Sequence, residues 1–159
     1  MDEMVMRLFS SNFDIKKYVY IGKTKMDYVA YRYDVIGRTM AITKKEIDTY
    51  TNNENIYILK KKLKKETFKK EMEKLFDDIV STLSLSDDHY ETLLNLVIFS
   101  ELDKDVSRMI ERYQKTKLLA LGFKGAINMR VIAIDNKTKE IRGHKTNKEL
   151  MEKLRRGMN

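Results

Sequence analysis

The apolar positions of this chain change period along its length. Residues 16–22 and 26–36 are rich in Tyr, Val and Ile, the strand formers, and the stretch at 22–25 reads as the turn between them. Gly37 marks a second turn before residues 38–42, so a three-strand meander is expected. Thr43, Lys44, Lys45 and Glu46 match a capping box, which predicts a short helix through Tyr50. Residues 51–55 then read as a polar loop, and 56–62, where Ile56 and Ile58 alternate with Tyr57 and Leu59, as a fourth strand.

The middle third reads as helical. Phe68, Met72, Leu75, Phe76, Ile79 and Leu83 recur at three and four residues and define one stripe. Leu59 and Leu63 fall on the opposite side of that wheel, which separates them from the helix. A second helix is expected from Ser86, with Asp87 and Asp88 in its first turn and residues 93–99 as a buried central body. Leu102, Val106, Met109, Ile110 and Tyr113 give a third stripe, ending near Gly122.

The tail returns to the strand period at 128–135, turns at 136–139 and comes back over 140–144. Thr146 to Glu149 form a second capping box, opening a helix with Leu150, Met151 and Leu154 on one side. With no repeat, linker or proline to mark a boundary, residues 1–159 read as a single domain. The expected fold class is α+β: a small antiparallel sheet, the N-terminal meander extended by the C-terminal hairpin, packed against three central helices.

Charge sharpens this picture. Residues 60–74 hold eight lysines against three glutamates, and residues 137–156 hold eight Lys or Arg against three glutamates. The chain carries +8 in all, so what lies outside these two stretches is net negative. Such concentration creates a directed field whose natural partner is a polyanion or an acidic protein face. Residues with AT-rich codons (Phe, Tyr, Met, Ile, Asn, Lys) greatly outnumber those with GC-rich codons. This points to a low-GC genome, such as that of a phage, virus or mobile element, and discounts the lysine number itself. The pairs Glu66–Lys70, Lys69–Glu73 and Lys74–Asp78 are spaced i,i+4 and can neutralise one another. Lys60, Lys61, Lys62, Lys64 and Lys65 have one nearby acid, and they precede a helix whose dipole repels cations. In the tail, Arg142, Lys145, Lys148, Lys153, Arg155 and Arg156 can share a surface.

Other motifs add less. If the first two strands alternate, Tyr18, Tyr20, Tyr28 and Arg32 share one sheet face with Lys16, a candidate base-stacking platform that competes with a half-buried structural face. Tyr20-Ile21-Gly22, with Arg32 downstream, matches half of the GIY-YIG nuclease signature, but no Gly-Ile-Tyr strand precedes it. A helix-turn-helix around Ser100 would present Lys104, Arg108, Arg112 and Lys115 against Asp103, Asp105 and Glu111, a mixed face poorly suited to phosphate. There is no cysteine, P-loop, Rossmann glycine fingerprint or nucleophile elbow, and of the two histidines His89 reads as a surface residue while His144 lies inside the basic tail. No metal or cofactor is expected. The N-terminus lacks a signal-peptide order, no apolar run reaches membrane-spanning length, and an intracellular location is expected. The resulting expectation is a nucleic-acid-binding or regulatory protein that contacts phosphates through the two lysine and arginine clusters. The alternative is an inhibitor or modulator whose basic surface meets an acidic protein. Catalysis ranks behind both.

Overall fold

The computed structural model describes residues 1–39 and 46–158. These form four α-helices, α1 (Asp2–Phe9), α2 (Phe68–Val80), α3 (Lys104–Arg112) and α4 (Lys148–Met158). They also form seven strands, β1 (Asp14–Ile21), β2 (Thr24–Thr39), β3 (Glu46–Lys60), β4 (His89–Ser100), β5 (Gln114–Leu118), β6 (Ala126–Asp135) and β7 (Ile141–Gly143). All seven strands belong to one mixed sheet of order β1-β2-β3-β4-β6-β5, with β7 also paired to β6. β3, β4 and β6 run parallel and the other pairings are antiparallel. The parallel strands are joined by crossovers through α2 and through α3.

This large mixed sheet overturns the expectation of a small antiparallel sheet packed on three central helices. The difference has two sources. Residues 93–99 form the core of β4, a strand buried on both faces, and not a central helix. Leu94, Leu96 and Ile98 pack toward α2 and α3, while Val97 packs toward α1 and α4. A short continuous apolar run has no period that tells a doubly covered strand from a buried helix. Residues 46–50, expected in a helix, and 51–55, expected in a loop, belong to β3. Here pairing with β2 on one side and β4 on the other overrides the poor strand propensity of Asn52, Asn53 and Asn55. The rest of that capping box, like part of the expected strand at 38–42, lies outside the described residues. Past α3 the chain turns into β5 instead of remaining helical to Gly122. The helical stripe at 68–79, the strand at 128–135, the return strand and the C-terminal helix are present.

The sheet is covered on both faces. α2 and α3 pack on one side, over Val29, Tyr57, Leu96, Met129 and Val131. α1 and α4 pack on the other, over Tyr28, Ile56, Ile58, Val97 and Ile132. α4 closes onto α1 at Gly157, where any side chain would strike Leu8.

Tyr18 stands in the left-handed region at φ +56°, and the sheet's alternation reverses there. Ile15 and Lys17 lie on the α1/α4 side, with the Lys17 ammonium over the Tyr28 ring, whereas Val19, Ile21 and Met26 join the α2 side. The hairpin tip thereby curls over α2, bringing Gly22 against Asp78. Because a left-handed tyrosine costs about 1–2 kcal/mol, Tyr18→Gly is expected to raise stability by about 0.5–1 kcal/mol after the entropy cost of glycine. Chemical denaturation checks this, and a loss of stability would contradict it.

Candidate functional site

Two polar surfaces stand out, on opposite layers of the molecule. The first is built around α3. Asp103 caps this helix by accepting from the Val106 N–H at 2.7 Å. Asp105 pairs with Lys65 at 2.8 Å, and this neighbour holds its carboxyl below the ordinary aspartate value. Glu111 pairs with Arg142 at 3.1 Å. Each acid of the helix is therefore matched by the cap or by a cation from another segment. Lys104, Arg108 and Arg112 are left exposed, with no ion pair among the described residues. At four-residue spacing they form one row, about 6 Å apart along the axis.

The lysine segment lies against the start of this helix. The Leu63 N–H donates to the buried Ser100 hydroxyl at 3.1 Å and pins the segment beyond β4. Lys61 reaches Glu71 at 2.9 Å and Lys65 reaches Asp105, whereas Lys60, Lys62 and Lys64 are exposed and form no ion pair among the described residues. The arginine-rich tail does not stay together. Arg142, on β7, faces α3 and also pairs with Glu140. Lys145 lies in the 3₁₀ turn that precedes α4, and Lys148, Lys153, Arg155 and Arg156 lie on α4, in the other layer. Lys148 pairs with Glu152 at 3.9 Å, Lys153 sits over the rings of Phe9 and Phe13, and Arg155 and Arg156 are exposed. The two clusters thus meet only through Lys65 and Arg142, near opposite ends of α3.

The tyrosine platform is not assembled. Tyr28 is 1% exposed beneath α1, and burial pushes its hydroxyl up to about 12. Tyr18 and Tyr20 are exposed, the first at the face reversal and the second beyond it. Arg32 is held by Glu54 at 2.8 Å and Asp34 at 3.1 Å. Its position leads to the second surface.

Arg32, Glu54, Asn95 and Arg130 form a polar row across four strands on the α1/α4 side of the sheet. Arg32 lies opposite Glu54, and Asn95 opposite Arg130. Asn95 Nδ2 donates to Glu54 Oε1 at 3.0 Å. Burial raises the Glu54 carboxyl above its ordinary value, and Arg32 works against that shift. Below the row the same face is apolar, with Ile56, Val97 and Ile132. Above it, the row opens into a cleft of about 310 Å³ closed by Phe13 and by the start of α4. Arg130 donates to the Thr146 carbonyl at 3.3 Å. The next residue, Asn147, is 2% exposed, and neither Nδ2 nor Oδ1 of its side chain has a hydrogen-bond partner. This row was hidden in the sequence because residues 51–55 and 93–99 do not read as strands. The one available signal is Asn95, a lone polar residue inside an apolar run.

His89 is buried and not a surface residue. Its Nδ1 donates to the Lys124 carbonyl at 2.9 Å, and its Nε2 lies 2.8 Å from the Thr92 hydroxyl. His144 caps the start of the 3₁₀ turn before α4, its side chain accepting from the Thr146 N–H. Among the described residues, no three His, Cys, Asp or Glu side chains are grouped to hold a metal. No described helix is long and apolar enough to cross a membrane.

The fold and its surfaces define an α/β/α protein with a seven-stranded mixed sheet, a basic helix on one layer and a polar cleft on the other. The chain belongs to the family described as a domain of unknown function (DUF8052), whose model matches residues 2–156. No curated protein and no solved structure matches the chain.

Proposed function

We propose that the protein binds the phosphate backbone of nucleic acid through the exposed face of α3, flanked by the lysine segment at residues 60–65. One observation carries this reading. The acids that make the α3 sequence look mixed are matched by the cap, Lys65 and Arg142, which leaves Lys104, Arg108 and Arg112 as an uninterrupted row. Phosphate contacts of this kind position a protein without reading sequence, so the expected binding is salt-dependent and only weakly sequence-specific. Such a role belongs inside a cell and suits a regulatory protein.

The test is fluorescence anisotropy with single- and double-stranded DNA and RNA oligonucleotides at low and physiological salt. One phosphate contact from each of the unpaired cations Lys60, Lys62, Lys64, Lys104, Arg108 and Arg112 predicts a fall in affinity of about 10³-fold between 50 and 200 mM salt. Absence of binding to all four oligonucleotides at low salt rejects this reading. Capture of an acidic protein would then assign the same face to a protein partner.

A further inference from the structure

We infer that the cleft between the sheet and α4 binds a small ligand that carries an oxyanion, a carboxylate or a phosphate, beside a hydrogen-bond donor. The charges around the cleft leave an unmatched cation. Arg32 and Glu54 neutralise each other at 2.8 Å, and the second oxygen of Glu54 is taken by Asn95. Arg130, opposite Asn95 on the neighbouring strand, donates among the described residues only to the Thr146 carbonyl, at 3.3 Å. A guanidinium has five N–H donors in a fork that matches carboxylate or phosphate, so most of the capacity of this lining residue is without a partner among the described residues. Lys153 and Glu149 also line the cleft and offset one another in charge, which leaves Arg130 as the excess cation.

Asn147 makes the cleft a site and not a mere gap. Buried amides are nearly always satisfied in folded proteins, yet Asn147, a lining residue of the cleft, has Nδ2 and Oδ1 both closed to solvent and unpartnered, so a turn of its side chain is what presents them to a ligand. An oxyanion held by Arg130 would accept from Nδ2. A hydroxyl or amine next to that oxyanion would donate to Oδ1. Ile56, Leu93 and Phe13 supply the apolar wall for a short carbon skeleton, and about 310 Å³ is the size of a small-metabolite site. The cleft and the basic face of α3 lie on opposite sides of the sheet. This inference therefore stands or falls independently of nucleic-acid binding.

Isothermal titration of the full chain with inorganic phosphate, glycerol 3-phosphate, lactate and serine tests it. Saturable one-to-one binding of glycerol 3-phosphate identifies the phosphate class, and binding of lactate or serine identifies the carboxylate class. Inorganic phosphate, which lacks the carbon skeleton, is expected to bind more weakly than the ligand of its class. Arg130→Gln and Asn147→Ala are each expected to weaken binding at least tenfold, while charge reversal on α3 leaves it unchanged. Asn147→Ala removes an unpartnered amide, so its melting temperature without ligand should not fall, which separates lost binding from lost folding. No heat of binding from any probe at about 10 mM overturns the inference. So does binding that survives both cleft substitutions, or that disappears with the α3 charges.

Discussion

Replacing Lys104, Arg108 and Arg112 together with glutamate is expected to weaken nucleic-acid binding by at least about 10²–10³-fold near 0.1 M salt. Each phosphate neutralised by a cation contributes close to one unit to the dependence of log affinity on log salt, so three lost contacts remove about three units of slope. The slope is the diagnostic quantity. A variant that misfolds loses binding without leaving a measurable slope, whereas a folded variant missing three contacts keeps a shallower one. The row is exposed, and the buried residues of the helix, Val106 and Ile110, face the sheet, so the fold should tolerate the change. Exposed ion pairs are individually weak, and the pairs of Asp105 and Glu111 serve here to keep negative charge matched away from the row. Breaking one of them with Lys65→Ala would leave Asp105 facing Arg108. A smaller loss is expected, of order tenfold, from the lost cation together with the unmatched acid. Unchanged affinity in the triple variant would show that the helix is not the interface, whatever the net charge of the chain.

Asp135→Ala is expected to cost about 3 kcal/mol of folding stability, because it strips the acceptor from three backbone N–H groups at once. Oδ2 accepts from Leu102 at 2.8 Å, beyond the end of β4, and Oδ1 accepts from Lys137 and Thr138 at 2.8 Å in the β6–β7 turn. One side chain thus ties the entry to α3 to the hairpin that carries Arg142. These backbone hydrogen bonds lower the carboxyl to about 2. A lowered folded-state value means that its contribution is complete above the ordinary aspartate value of 3.8 and is lost as pH falls from there toward about 2. Urea unfolding of the parent should therefore weaken over that window, and Asp135→Asn, which cannot ionise, should weaken less steeply. A variant within about 0.5 kcal/mol of the parent would mean that water replaces the side chain freely in this turn. Because Leu102 lies two residues before the start of α3, the same substitution should also reduce nucleic-acid affinity, through the position of the basic row.

Several elements were legible in the chain, the interior strand β6 among them. The stripe from Phe68 to Ile79 is a helix, residues 128–135 form a strand, and the C-terminal helix forms as α4, although a 3₁₀ turn capped by His144 leads into it in place of the Thr146–Glu149 box. In each case the signal is local: an amphipathic period within a few residues. β4 and the first part of β3 were not legible. β4 is apolar on both faces and so has no period, and the polar half of β3 owes its conformation to neighbours distant in sequence. Misreading those two strands also concealed the row of Arg32, Glu54, Asn95 and Arg130, since cross-strand neighbours exist only once the register is known.

Charge followed the same division. The number of cations and their clustering are properties of the chain alone, and so is the four-residue spacing of Lys104, Arg108 and Arg112. Which of those charges remain available is a property of the fold. Long-range pairs such as Lys65–Asp105 and Arg142–Glu111 match the acids of α3, while α4 takes the rest of the basic tail to the other layer. Local composition sets how much charge and apolar surface a chain has to place. Only the tertiary contacts, made between residues tens of positions apart, decide which of it is cancelled or buried, and which is left facing a partner.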